Sequence, residues 1–217
     1  LKCERYIGFM SCLRTGSFID FHSIFQQYDH KRIPFDFDAY RNNPTRFIIV
    51  TSNCRTGLPM YLEEKEDMER LYRLCRASSS LPVFCPCIEV DGIPMYDGGV
   101  CDAIPYRRPI QEGFEKIVFV LTRKLGYRKD EKEIFLPRLL LRKHPLLRNP
   151  MEDRHYRYNC MLEKVEEMEK QGQAVVIRPT DEMGVDTLTR DTASLMRLYE
   201  EGRRAAREQL DALQNII

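Results

Sequence analysis

The 217-residue sequence has no long apolar run. Its longest clean stretches are about five residues, such as Ile117-Val118-Phe119-Val120-Leu121, whereas a membrane-spanning helix needs roughly 20. It also lacks an excess of charge of either sign. The 34 basic and 33 acidic side chains leave a formal net charge of +1, so no global field favours nucleic acid or an acidic surface. Leu1-Lys2-Cys3-Glu4-Arg5 is charged and no apolar core follows it, which does not read as a secretory signal. There is no internal repeat and no low-complexity linker. Histidine is scarce: His22, His30, His144 and His155 are the full set, and none stands in a recognisable triad context. No C-x-x-C pair occurs. Cys85-Pro86-Cys87 is the one close pair among eight cysteines, and its spacing suits neither a zinc site nor a thioredoxin-like one. Scattered thiols in a chain of this size read as reduced, cytoplasmic and mostly buried.

What is present is ordinary globular material. Hydrophobic residues make up 43% and charged residues 31%, enough to bury a core, and one domain is the economical reading. Phe18, Phe21, Phe25 and Tyr28 recur at helical spacing. Arg46 to Thr51 reads as a strand buried on both faces, and Pro59 to Leu62 as the next strand. Glu63 to Arg76 reads as a helix, with acids early and arginines late. Asp91-Gly92 between short apolar runs signals a hairpin turn. Lys116 to Thr122 and Ala174 to Pro179 read as further buried strands. Asn149 to Gln171 and Leu188 to Leu213 read as long helices, the first stopped by Gly172. Alternating strands and helices in the second half predict an α/β class with a largely parallel sheet.

Asp97-Gly98-Gly99 is the most informative stretch. It stands at the predicted end of a strand and just before a helix, where α/β proteins gather ligands and catalytic groups. The glycines permit positive φ and close approach of backbone or substrate. A carboxylate held there can orient or deprotonate a hydroxyl. Ser78, Ser79 and Ser80 have no elbow glycines or base beside them and read as a helix stop. Asp102 reads as the cap of the helix that Pro105 begins. Cys12, Cys54 and Cys101 would need a neighbouring cation or imidazole to become nucleophiles.

Several pieces occur in order along the chain: Phe35-Asp36-Phe37, Thr56-Gly57, Ala77-Ser78-Ser79-Ser80-Leu81-Pro82, Tyr96-Asp97-Gly98-Gly99-Val100-Cys101-Asp102-Ala103-Ile104-Pro105, and Leu121-Thr122-Arg123. Gly126-Tyr127-Arg128-Lys129, Arg157-Tyr158-Asn159, Val176-Ile177-Arg178-Pro179 and Leu198-Tyr199-Glu200-Glu201-Gly202 follow. Together they resemble the patatin-like phospholipase family, in its bacterial form, over nearly the whole chain. The resemblance implies a three-layer α/β fold and a serine acyl hydrolase of lipid esters that uses a Ser–Asp dyad and neither cofactor nor metal. Asp97 would be the dyad carboxylate, with Gly98 and Gly99 shaping its loop.

One departure matters. That family's nucleophile lies in a G-x-S-x-G elbow, preceded by a Gly-rich oxyanion loop, and neither occurs in these 217 residues. With a first residue of Leu rather than Met, the expectation is that residues 1–217 are the C-terminal part of a single acyl hydrolase domain. Strands N-terminal to Leu1 would then complete the sheet, and the isolated chain would be inactive. The expected partners are a lipid or ester substrate, the missing segment or a second copy, and no nucleic acid. The location is expected to be cytoplasmic or membrane-peripheral. Phe135 to His144 mixes aliphatics with cations and reads as a core-facing helix; the competing reading rests it on an anionic lipid surface. The alternative function is a non-catalytic binding or scaffolding domain with a degenerate hydrolase fold. A thiol- or metal-dependent protein using Cys85 and Cys87 is a third reading.

Overall fold

The computed structural model describes residues 7–30, 34–82, 84–130, 142–186 and 189–214. The chain divides into two compact units. The first takes Leu1–Ala103 and Ile134–Arg154, the second Ile104–Glu133 and His155–Ile217.

The first unit is built on a four-stranded sheet. β1 (Ile49–Asn53), β2 (Pro59–Leu62), β3 (Ile88–Val90) and β4 (Ile93–Asp97) lie in the order β2-β1-β4-β3. Every neighbouring pair in it is antiparallel. The parallel arrangement expected from the sequence is therefore absent from this sheet, and for two of its three pairs the reason is local. Five residues join β1 to β2, and two join β3 to β4; connections so short close hairpins and leave no room for the crossover a parallel pair needs. Asp91 and Gly92 both take positive φ, 53° and 74°, as the twisted two-residue hairpin turn requires.

Three short helices, α1 (Phe9–Thr15), α2 (Phe21–His30) and α3 (Phe37–Asn42), precede the sheet. α4 (Met68–Ser79) covers it. Leu71, Leu74 and Ala77 recur every three residues on α4 and pack on Ile49, Val90 and Met95 of the sheet. Each large apolar side chain fully buried in this way contributes about 1.5–3 kcal/mol. The helix begins five residues later than its apolar pattern suggests. Asp67 caps it by accepting the Arg70 N–H at 3.1 Å. The Glu64 carboxylate takes the N–H groups of Glu66 and Asp67 at 2.7 and 2.9 Å, so residues 63–67 form a capping loop instead of a first turn. A smaller apolar cluster joins Cys54, Val100, Cys101, Leu147 and Met151. Met151 comes from α6 (Arg148–Glu152), and Leu147 from the 3-10 turn before it.

The second unit pairs β5 (Ile117–Val120) with β6 (Ala174–Ile177), and this pair is parallel as expected. Phe119, Ala174 and Val176 pack with Leu162, Val165 and Met168 of α7 (Arg154–Lys170). Val118 and Val120 stay outside that core, so β5 is buried on one face and not on both. The unit also holds α5 (Arg107–Gln111), α8 (Thr192–Glu208) and α9 (Leu210–Gln214). The two long helices expected from the sequence are each broken, at Asp153 and at Gln209. The fold class is thus α/β, with one antiparallel and one parallel sheet. No helix among the described residues is long and apolar enough to cross a membrane. Most of the mixed aliphatic–cationic stretch 135–144 lies outside the described residues.

Glu64 in the first unit and Glu201 in the second are held well below the ordinary carboxylate range. Burial works against the charge of Glu64, but the two N–H donors and Arg70 hold its pKa at about 2. In the second unit Arg204 and both Thr180 donors hold Glu201 at about 2. Both values lie below the ordinary 4.5, so each pairing stabilises the fold fully above that pH and is lost as the pH falls toward 2. Acid titration followed by circular dichroism is expected to show stability falling over this window. Glu64→Gln and Glu201→Gln should each flatten part of the loss, and unchanged curves for both variants would show that these clamps do not govern it.

Candidate functional site

β4 ends at Asp97, and Gly98–Val100 make a single 3-10 turn directly after it. Strand pairing fixes the approach, since Thr51 of β1 lies opposite Asp97 and Ser52 opposite Tyr96. The turn then folds down onto β1. A Cβ on Gly98 would stand 2.4 Å from the Val50 carbonyl oxygen. Only a residue without a side chain fits there, because the obstacle is backbone. Neither Gly98 nor Gly99 has positive φ; the expected positive-φ role is absent, and close approach is what Gly98 supplies.

Five hydrogen bonds among the described residues also hold the turn. The Asp97 N–H donates to the Ser80 carbonyl at 2.8 Å. Ser52, fully buried on β1, donates its hydroxyl to the Asp97 carbonyl at 2.8 Å and accepts the Cys101 N–H at 3.1 Å. The Asp102 N–H donates to the Gly98 carbonyl at 2.8 Å. The Arg154 Nε–H donates to the Gly99 carbonyl at 3.0 Å. Under the turn, the backbone at Gly57 approaches Leu146 so closely that a Cβ there would lie 2.3 Å from the Leu146 carbonyl oxygen.

The Asp97 carboxylate is half-buried, and its Oδ1 accepts the Gly99 N–H at 2.7 Å. Among the described residues Oδ2 makes no hydrogen bond, and no histidine is bonded to this carboxylate. Burial raises the pKa above the ordinary 3.8, and the Gly99 N–H and the Arg154 charge only partly oppose it. A carboxylate of this kind is a stronger base than one in water and is fixed at one oxygen only.

The other sequence candidates take structural places. Ser78, Ser79 and Ser80 donate their hydroxyls to the carbonyls of Val50, Cys75 and Arg76 at 2.8–2.9 Å. They end α4 and tie it to β1, as a helix stop should. Asp102 does not cap a helix. α5 starts at Arg107 without a side-chain cap, and the Asp102 carboxylate accepts the Tyr61 hydroxyl instead. Cys54 is buried, and its thiol is pushed up to about 12 by that burial, with Cys87 and Cys101 adding to it. Such a thiol is a poor nucleophile at neutral pH. Cys101 donates to the Gly57 carbonyl, Cys85 to the Ile19 carbonyl, and Cys12 is exposed. No group of three or more metal-ligating side chains occurs among the described residues. Ser52 and Arg154 are not legible in the sequence as site residues: the first lies just past a strand pattern, and the second is 57 positions beyond Asp97 and outside the motifs of the resemblance.

Gly98→Ala is expected to cost about 1–3 kcal/mol, the usual penalty of forced overpacking. Gly99→Ala should cost less, because its Cβ would meet only side-chain atoms, Asp97 Oδ1 at 3.1 Å and an Arg154 nitrogen at 3.6 Å. Denaturant unfolding of both variants checks the order, and a native midpoint for Gly98→Ala would refute the close-approach argument.

Two family comparisons bear on this chain. Residues 9–110 match the patatin-like phospholipase family, and residues 144–217 match a domain of unknown function (DUF6363). No curated protein matches the chain. The first match spans the whole four-stranded sheet, α4 and the Asp97 turn. Residues 9–110, with the Asp97 turn inside them, are therefore the part of the chain that is similar to the patatin-like phospholipases.

Proposed function

We propose that this chain is part of a serine lipid acyl hydrolase in which Asp97 is the general base of a Ser–Asp dyad. The observation that carries the reading is the Asp97 carboxylate itself. It lies on a tightly packed turn at the end of β4, pinned at Oδ1, raised in basicity by burial, and inside the stretch that matches the patatin-like phospholipases.

In this reading a serine hydroxyl attacks the ester carbonyl and its proton passes to the Asp97 carboxylate. The acyl group moves to the serine oxygen, and the protonated Asp97 returns the proton to the departing alkoxide. Water then repeats the sequence and frees the acid. A histidine intermediary is unnecessary, because a desolvated carboxylate with one open oxygen can take the proton directly. Gly98 and Gly99 shape the loop, and Ser52 and Ser80 hold its backbone. These 217 residues contain no G-x-S-x-G, so the reading places the nucleophile in sequence upstream of Leu1. The substrate is a lipid or other carboxylic ester; the reading needs no metal or cofactor.

The test is Asp97→Asn in the full-length gene product. Asn keeps an acceptor for the Gly99 N–H but cannot take a proton. Ester turnover is expected to fall about 10²- to 10⁴-fold, the usual contribution of a positioned base. Thermal stability at neutral pH should hold or rise, since a buried charge that is costly above its raised pKa has been removed. In the unsubstituted enzyme, kcat/KM should rise with pH through an acidic limb above the usual aspartate range. Full turnover by Asp97→Asn would overturn the assignment of Asp97 as the base, and no ester turnover by the unsubstituted full-length protein would favour a scaffolding domain.

A further inference from the structure

We infer that Arg154 is a positioning residue for Asp97, holding the base loop by its hydrogen bond to the Gly99 carbonyl. This role rests on Asp97 being the base and extends that reading into the part of the chain that matches the domain of unknown function.

The geometry is specific. Arg154 is the first residue of α7, 55 positions beyond Gly99. Its Nε–H donates to the Gly99 carbonyl at 3.0 Å, and a terminal guanidinium nitrogen lies 3.6 Å from the place a Gly99 Cβ would occupy. Gly99 is also the residue whose N–H holds Asp97 Oδ1. One residue therefore links the arginine to the carboxylate on both sides: N–H to the acid, C=O to the guanidinium. The hydrogen bond of Arg154 goes to the backbone carbonyl and not to the carboxylate, so Asp97 keeps an oxygen open while the cation stays close enough to act on it. A direct, two-pronged ion pair would have occupied both oxygens and left a much weaker base.

The segment that leads to Arg154 supports the same turn. The 3-10 turn Pro145–Leu147 and α6 bring Leu147 and Met151 under the loop, against Cys54, Val100 and Cys101. Leu147 is fully buried. Residues 144–154 open the stretch matching the domain of unknown function, yet they fold within the first unit. Those eleven residues brace the turn from below and deliver one guanidinium to its carbonyl. The loop's other supports carry no charge, being the Ser52 hydroxyl from β1 and the Ser80 carbonyl from the end of α4. Asp102, on the loop itself, is engaged with Tyr61 of β2.

The experiment compares Arg154→Ala and Arg154→Lys with the unsubstituted full-length protein, on a neutral ester, across pH. Arg154→Ala is expected to lower kcat about 10- to 100-fold, the scale of a slightly misplaced catalytic group, with KM nearly unchanged. Its acidic limb should move to higher pH, because a cation that favours the ionised carboxylate has been removed. Arg154→Lys should restore the limb while recovering only part of kcat, since an ammonium supplies the charge but not the planar N–H geometry. Titration of the Asp97 carboxyl carbon by NMR gives the same comparison without turnover: upward in Arg154→Ala, restored in Arg154→Lys. A purely structural arginine would alter melting temperature and leave the limb and the titration in place. Native kcat and a native titration in Arg154→Ala, in an enzyme that Asp97→Asn inactivates, would overturn the role of Arg154 alone. Full turnover by Asp97→Asn would instead remove the catalytic reading beneath it.

Discussion

The site depends on how closely one turn lies on one strand. With Gly98 seated against the Val50 carbonyl, there is no room for a side chain or for water between the turn and β1. That approach brings the Asp97 carbonyl within reach of Ser52, the Cys101 N–H onto the same hydroxyl, and the Gly99 N–H onto the carboxylate. Two of these bonds join the turn to β1, and the third lies within the turn itself. Orientation of the carboxylate therefore follows from the packing of the sheet and not from a flexible loop. The base role proposed for Asp97 needs a carboxylate held in one orientation, and this support is what the proposal relies on.

Much of this is legible in the sequence, and the legible parts share a cause. Asp91-Gly92 announces its hairpin because both residues accept positive φ, a requirement that lives in two adjacent positions. Asp97-Gly98-Gly99 stands out because a carboxylate next to two small residues at a strand end is local information. The serines that end α4 read as a helix stop, and their hydroxyls bond to backbone carbonyls. The α/β class follows from periodicity.

What escapes a sequence reading is non-local or competes with another local signal. The antiparallel order of β2-β1-β4-β3 depends on which strands pair, and a continuous apolar run such as Arg46 to Thr51 does not distinguish a parallel partner from an antiparallel one. The start of α4 is displaced because Glu64 and Asp67 take up backbone N–H groups ahead of it and turn five helix-competent residues into a cap. Asp102 lies just before an Ile-Pro pair and looks like a cap, yet Tyr61, 41 positions away, takes its carboxylate. Arg154 has the same character: nothing local marks it, and only the fold brings it to the Gly99 carbonyl.

The buried carboxylates of the first unit show why Asp97 differs from the rest. Burial pushes Asp20, Glu64 and Asp97 in the same direction, toward the neutral acid. Asp20 answers with Ser23 and with Arg14 at 2.8 Å, and ends below the ordinary range. Glu64 answers with two backbone N–H groups and Arg70, and ends at about 2. Asp97 receives one N–H, and its arginine is bonded to a neighbouring carbonyl instead. Structural carboxylates in this unit are paired until the charge is cheap to keep. Asp97 is left with one donor, on a turn held by Ser52, Ser80 and Arg154. A half-buried carboxylate whose basicity burial raises is the kind of group that sites of proton transfer present, and the proposed role of Asp97 rests on that contrast.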